Sequence, residues 1–108
     1  MGDLNAIAKQ IHDTAVAHGW WDNPPSFGEV CALIHSEVSE ALEAYRIGEP
    51  MYYESASGNP EGQAVELIDV IIRTLDYLAT TGVDIDAIMA QKMEYNKTRP
   101  YRHGGKAL

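Results

Sequence analysis

Two short stretches place acids where apolar side chains are expected. In "HSEVSEALEAYR", Glu37 and Glu40 lie one helical turn apart. On a helical wheel Glu37 falls among Val30, Leu33, Ile34, Ala41 and Ala44, and Glu40 falls at the edge of that arc. Ser36, Ser39 and Glu43 take the opposite side, where solvated groups belong. Val38, Ala41, Leu42 and Tyr45 are read as the packing residues of the stretch. A buried carboxylate without a partner is costly, so a positive group is expected to meet Glu37.

The second stretch, "EGQAVELIDVIIRTLDYLA", repeats the pattern. Glu66, Asp69, Arg73 and Asp76 form a narrow polar stripe flanked by Val65, Val70 and Tyr77. Most of the remaining circumference is Leu, Ile, Ala and Val, which is the mark of a buried helix. If the two helices pack antiparallel, four carboxylates converge. Such an oxygen-donor set suits a hard cation, Mg²⁺ or Mn²⁺. An ion held this way binds phosphate oxygens and lowers the pKa of a bound water. The plainer alternative is that Arg73 pairs with Asp69 and Asp76 as a surface ladder, and that each acid pair is ordinary helix decoration.

The acids need helices to place them, and four helical stretches are legible. The first is expected over about Leu4–Ala17, with Gly19 as its stop. The second begins at Ser26, whose pairing with Glu29 reads as a capping box, and runs to about Ile47 with Gly48 beyond. The third is expected over about Glu61–Thr80, with Asn59 as N-cap, Pro60 in the first turn and Gly82 past the end. Asp84 caps a fourth helix reaching about Thr98, which Pro100 prevents from continuing. "WWDNPPS" and "EPMYYESASGNP" read as loops. Residues 98–108 read as a flexible basic tail. No strand pattern competes, so the fold class is all-α: a single-domain bundle of about four helices over residues 1–108.

The chain has 108 residues and a net charge of −8, unevenly distributed. Residues 1–91 carry three basic residues against fifteen acidic ones, whereas residues 92–108 carry five against Glu94 alone. The acidic body argues against general nucleic-acid binding. The short basic segment suits a small anion such as a nucleotide phosphate. Cys31 is the only cysteine, so neither an internal disulfide nor a cysteine metal site is available. No apolar run has the length of a membrane span, and "MGDLNAIAKQ" lacks a signal-peptide pattern. A soluble cytoplasmic protein is the expectation.

Glu37-x-x-Glu40 followed by Glu66-x-x-Asp69 resembles the MazG-like branch of the all-α nucleoside triphosphate pyrophosphohydrolases. The likeness extends through "VELIDVIIRTLDYLATTGVDIDAIMAQKMEYNKTRP", with Lys92, Asn96 and Arg99 in a Lys-x-x-x-Asn-x-x-Arg arrangement, and into the closing "RPYRHGGK". It covers about residues 26–106. The resemblance implies cleavage of a (d)NTP to (d)NMP and pyrophosphate. It implies Mg²⁺, with Mn²⁺ as a substitute, on Glu37, Glu40, Glu66 and Asp69. Glu37 or Glu40 would also orient or deprotonate the attacking water. Lys92, Asn96 and Arg99 would contact phosphate or sugar. A homodimer or homotetramer with sites formed partly between subunits is implied too, which suits a thin core. The tail is like that of phage-type members, which favours purines such as (d)GTP. Two competing expectations stand beside this one: a non-hydrolytic helical module that binds nucleotide or metal or mediates dimerisation, and a hydrolase of an alarmone such as ppGpp.

Other features carry less. His35 falls away from the acids, as a surface or interface residue. "HSE" lacks the Pro-Cys-x-x-Cys partner of zinc deaminases. The absence of Glu-x-x-His weakens a di-iron reading, and there is no Gly-rich phosphate loop. Trp20 and Trp21 anchor a core or interface, or Trp21 stacks on the nucleobase. Tyr52 and Tyr53 admit the same two readings. Arg102, His103 and Lys106 either close over a triphosphate or remain solvated.

Overall fold

Local sequence caps the second and fourth helices, and long-range contacts cap the first and third. The computed structural model describes residues 2–107, without the His103 side chain. The expected role of His103, and the ends of the chain at Met1 and Leu108, lie outside the described residues. The elements are α1 (Leu4–Ala17), α2 (Phe27–Arg46), β1 (Tyr53–Glu54), β2 (Pro60–Glu61), α3 (Gln63–Ala79), α4 (Ile85–Lys97) and α5 (Arg102–Gly105). The chain is thus mostly helical, as an all-α bundle should be, with one very small antiparallel ribbon.

α2 starts as expected. The Ser26 hydroxyl accepts from the Glu29 amide at 3.2 Å, and Glu29 Oε1 accepts from the Ser26 amide at 3.1 Å. Asp84 caps α4 by accepting from the Ala87 amide at 3.1 Å. The stops expected for α1, α2 and α3 also stand: Gly19, Gly48 and Gly82 follow their last turns.

The start of α3 differs. Asn59 and Pro60 are not its cap and first turn. Pro60 and Glu61 instead pair with Glu54 and Tyr53 as a two-residue ribbon. Gly62 is the N-cap, at φ 115°. Its neighbours find acceptors in the preceding loop: the Gln63 amide donates to the Pro50 carbonyl (3.2 Å) and the Ala64 amide to the Met51 carbonyl (2.9 Å). The Gln63 side chain adds a bond to the Glu49 carbonyl at 2.7 Å. The loop backbone thus performs the capping that a side chain was expected to perform. Gly62 must be glycine for two reasons. Its φ lies where other residues are strained, and a Cβ would sit 2.6 Å from the Met51 carbonyl oxygen.

Tertiary capping also joins the first and fourth helices. Asp3, at the N-cap of α1, makes no side-chain cap. Asp86 supplies it instead, accepting from the Leu4 amide (2.9 Å) and the Asn5 amide (3.2 Å). Asn5 reciprocates, accepting from the Ile85 amide at 2.8 Å and donating to Asp84 at 2.9 Å.

α3 is the central element, with α1 and α2 both packed against it and α4 packed against α1. The main core consists of Ala8, Leu75 and Ile85, supported by Leu4, Ile11, Leu78 and Ala79. α3 is not buried all round as its composition suggests, because Leu67, Ile68 and Ile71 are each about half exposed. Val38, Leu42 and Tyr45, expected to pack, are exposed along α2, whereas Ala41 is half-buried. The basic tail includes one helical turn, α5, rather than being wholly irregular. Among the described residues, no helix is long and apolar enough to cross a membrane.

Candidate functional site

The two acid pairs meet on facing helices. Glu37 and Glu40 come from α2, Glu66 and Asp69 from α3. Arg73 Nε donates to Glu37 Oε1 at 2.9 Å, while Glu40 lies beside Glu66. Later residues of α2 therefore face earlier residues of α3, which is the antiparallel arrangement that convergence requires. Glu37, Glu40 and Glu66 each present one oxygen, all within 4.8 Å of one another. Asp69 stands just outside that group, but its charge acts on both Glu40 and Glu66.

The charges strain against each other. Glu40, although exposed, has its carboxyl pushed above the ordinary value by the hydrogen bond its protonated form donates to Glu37 and by the charge of that neighbour. Glu66 is raised first by burial and then by Glu40, Asp69 and Glu37. Asp69 is raised by burial and by Glu37, against the opposing pull of Arg73. Clustered carboxylates held close enough to disfavour their own ionisation, on otherwise apolar helix faces, form a donor set that fits a small hard divalent cation.

The positive partner expected for Glu37 is Arg73. It does not form the surface ladder with Asp69 and Asp76. The Glu37 side chain is only 12% exposed and that of Arg73 42%, so the pair straddles the boundary between helix interface and solvent.

Glu37, Asp69, Arg73 and Asp76, with Thr14, His18 and Asn23, form the polar lining of a cleft of about 820 Å³ between α1, α2 and α3. Its apolar wall includes Trp20, Trp21, Leu33, Ile72 and Tyr77. The size and mixed lining suit a small organic ligand carrying both an apolar and a charged part. Trp21 is fixed in place. Its Nε1–H donates to both oxygens of Asp76 at 3.1 Å, and its ring meets the edge of His12 with centroids 5.0 Å apart. His12 Nδ1 lies 2.8 Å from Asp76 Oδ1, behind the cleft wall. His12 and this role of Asp76 escape a reading of the sequence. The signal was slight: Asp76 extends the α3 stripe beyond the Glu-x-x-Asp pair, and nothing local links it to the α1 histidine.

The basic residues of the fourth helix are not brought to the acids. Lys92 and Asn96 are exposed on α4, and neither they nor Arg99 and Arg102 line the cleft. Lys92 and Arg99 lie over the Tyr95 ring, at 4.9 and 5.7 Å from its centroid. Arg102 opens α5 with φ 52°. Among the described residues, Arg73 is the only Lys or Arg that lines the cleft. His35 is exposed, as expected, and Tyr52 and Tyr53 lie in the ribbon region, where the Tyr53 hydroxyl donates to Glu49 at 2.9 Å.

The chain matches no protein-family profile, no curated protein and no solved structure.

Proposed function

We propose that the chain is a Mg²⁺-dependent nucleoside triphosphate pyrophosphohydrolase of the MazG-like type, with Mn²⁺ able to substitute. The observation carrying this reading is the convergence of Glu37, Glu40 and Glu66 oxygens within 4.8 Å at the side of an aromatic-walled cleft. Glu37, Glu40 and Glu66, with Asp69 beside them, would hold the cation. When bound, the cation offsets phosphate charge and makes a bound water more acidic. The chain's own groups do the rest. Glu37 or Glu40 orients the attacking water and accepts its proton. Trp21, held edge-on to Asp76, offers a ring to a nucleobase, and Tyr77 and Ile72 exclude water from the same wall. The P–O–P linkage between the α and β phosphates breaks, water adds one oxygen, and monophosphate and pyrophosphate leave.

In this reading the molecule works as a homodimer or homotetramer. The exposed faces of α2 and α3 are covered by another copy, and the phosphate contacts of Lys92, Asn96, Arg99 and Arg102 are made across subunits, since α4 does not reach the cleft of its own chain. A purine nucleotide such as (d)GTP is the first substrate to try, in the nucleotide pool of the cytoplasm.

The test is a panel of (d)NTPs and ppGpp incubated with Mg²⁺, with products resolved by ion-exchange chromatography. Monophosphate plus pyrophosphate supports the reading, and Glu40→Gln should lower turnover at least about 100-fold at unchanged helicity. Diphosphate plus orthophosphate, or tight nucleotide binding without any product, sinks it. Turnover of ppGpp alone would move the activity to alarmones.

A further inference from the structure

Arg73 holds an unusual position. It is the cation that the acidic site already contains, bonded through Nε to Glu37, and among the described residues it is also the only Lys or Arg on the cleft wall. A guanidinium presents five N–H donors in a planar fork. The bond to Glu37 uses Nε alone among the described contacts, so both terminal nitrogens stay free for an anion in the cleft. A divalent cation on the same acids would compete for the Glu37 carboxylate and repel the guanidinium.

We propose that Arg73 is an exchangeable counter-ion: it neutralises Glu37 until a divalent cation takes that carboxylate, and it then turns its fork to a phosphate of the substrate. Two observations support this beyond the acidic cluster. The pair lies at the mouth of the interface, with Arg73 substantially more exposed than Glu37, so the arginine can leave while the glutamate stays. In addition, the basic residues of α4 lie elsewhere in the same chain, so among the described residues of one copy no other Lys or Arg lines the cleft to meet a phosphate. Arg73 is on this account a positioning residue for the carboxylates and a binding residue for the substrate. It links the two events, because its Nε–H and its full charge pass to phosphate only when Glu37 passes to the cation.

The inference rests on the divalent-cation reading of the site, and its test separates the two. Mn²⁺ binding to the full chain is measured by calorimetry without nucleotide, for wild type, Arg73→Gln and Arg73→Lys. Removing one competing positive charge should tighten Mn²⁺ binding by roughly tenfold in Arg73→Gln, and Arg73→Lys, which keeps the charge, should stay nearer wild type. Affinity for a non-hydrolysable triphosphate in the presence of Ca²⁺ should move the other way, falling by about tenfold in Arg73→Gln. A second measurement needs no variant: the Arg73 Nε–H resonance of ¹⁵N-labelled wild type should shift as Mg²⁺ is titrated. Unchanged or weaker Mn²⁺ binding in Arg73→Gln, or an Arg73 resonance indifferent to Mg²⁺, overturns the exchange. Wild type that binds no Mn²⁺ overturns the metal reading itself, and the exchange with it.

Discussion

At the scale of single residues, the acids of the site oppose the fold that carries them. The carboxyls of Glu40, Glu66 and Asp69 are all held above their ordinary values, so the native chain retains protons that the unfolded chain has released. Their contribution to stability is complete below the ordinary values, 4.5 for the glutamates and 3.8 for the aspartate, and is lost as pH rises through the raised native values. Glu29 and Asp84 act in the opposite sense. Their hydrogen bonds to Ser26 and Asn5 hold them low, so their contribution exists above the ordinary values and disappears as the solution is acidified. The prediction isolates one group. In EDTA at pH 8, Glu40→Gln should be more stable than wild type to urea, and the difference should vanish near pH 4. Equal urea midpoints for the two proteins at pH 8 would show that the repulsion is not felt. Asp76 makes a second residue-scale case. Asp76→Ala leaves the indole N–H of Trp21 and the ring of His12 without their shared acceptor, at a cost of about 1–3 kcal/mol. In a Trp20→Phe background, which removes the already exposed indole, the emission of Trp21 should shift to the red.

At the scale of elements, what could be read from sequence was what the chain does locally. Ser26 and Glu29 are three residues apart, and so is the bond from the Ala87 amide to Asp84; both caps follow from residue types alone. The acid pairs could be read for the same reason, since helical spacing put them on apolar faces before any packing was known. The start of α3 could not. Asn59-Pro60 carries the right chemistry for a helix start, but the ribbon with Tyr53–Glu54 claims it, and the carbonyls of Pro50 and Met51 take over the capping from more than ten residues away. The Asp76 partners are likewise 55 and 64 residues distant, beyond any periodicity. Gly62 tests this account of α3. Gly62→Ala forces a Cβ against two backbone oxygens at a φ suited to glycine, and should cost at least about 2 kcal/mol, with loss of the Glu66 position and of any divalent-cation binding. Chemical denaturation and Mn²⁺ calorimetry together check it; a variant as stable as wild type would place the origin of α3 elsewhere.

At the scale of the whole molecule, one copy of the chain looks incomplete. Its radius of gyration is 16.5 Å, against about 13 Å for a compact domain of this length. Among the described residues only five apolar ones are buried, whereas large apolar side chains on α2, α3 and α4 stand in contact with solvent, among them Leu42, Leu67, Ile71 and Ile88. Contiguous exposed apolar area is a common signature of an interface, and the proposed assembly of copies of the chain would cover it. Size-exclusion chromatography with light scattering should therefore give at least twice 11.9 kDa. Leu67→Asp with Ile71→Asp should dissociate the assembly and unfold much of the chain. A monodisperse species at 11.9 kDa that melts cooperatively would remove the interface from the account.

The mutual capping of α1 and α4 has a kinetic side. Asp86 protects the amides of Leu4 and Asn5, and Asn5 protects that of Ile85, across a separation of about eighty residues. Neither helix start can open without exposing the other. In native-state hydrogen exchange these three amides should share one opening free energy and one denaturant dependence, as a single cooperative unit. Because that unit closes a loop spanning most of the chain, it should be the last to gain protection during refolding. The two ends of that loop would then report, through one shared exchange behaviour, that folding is complete.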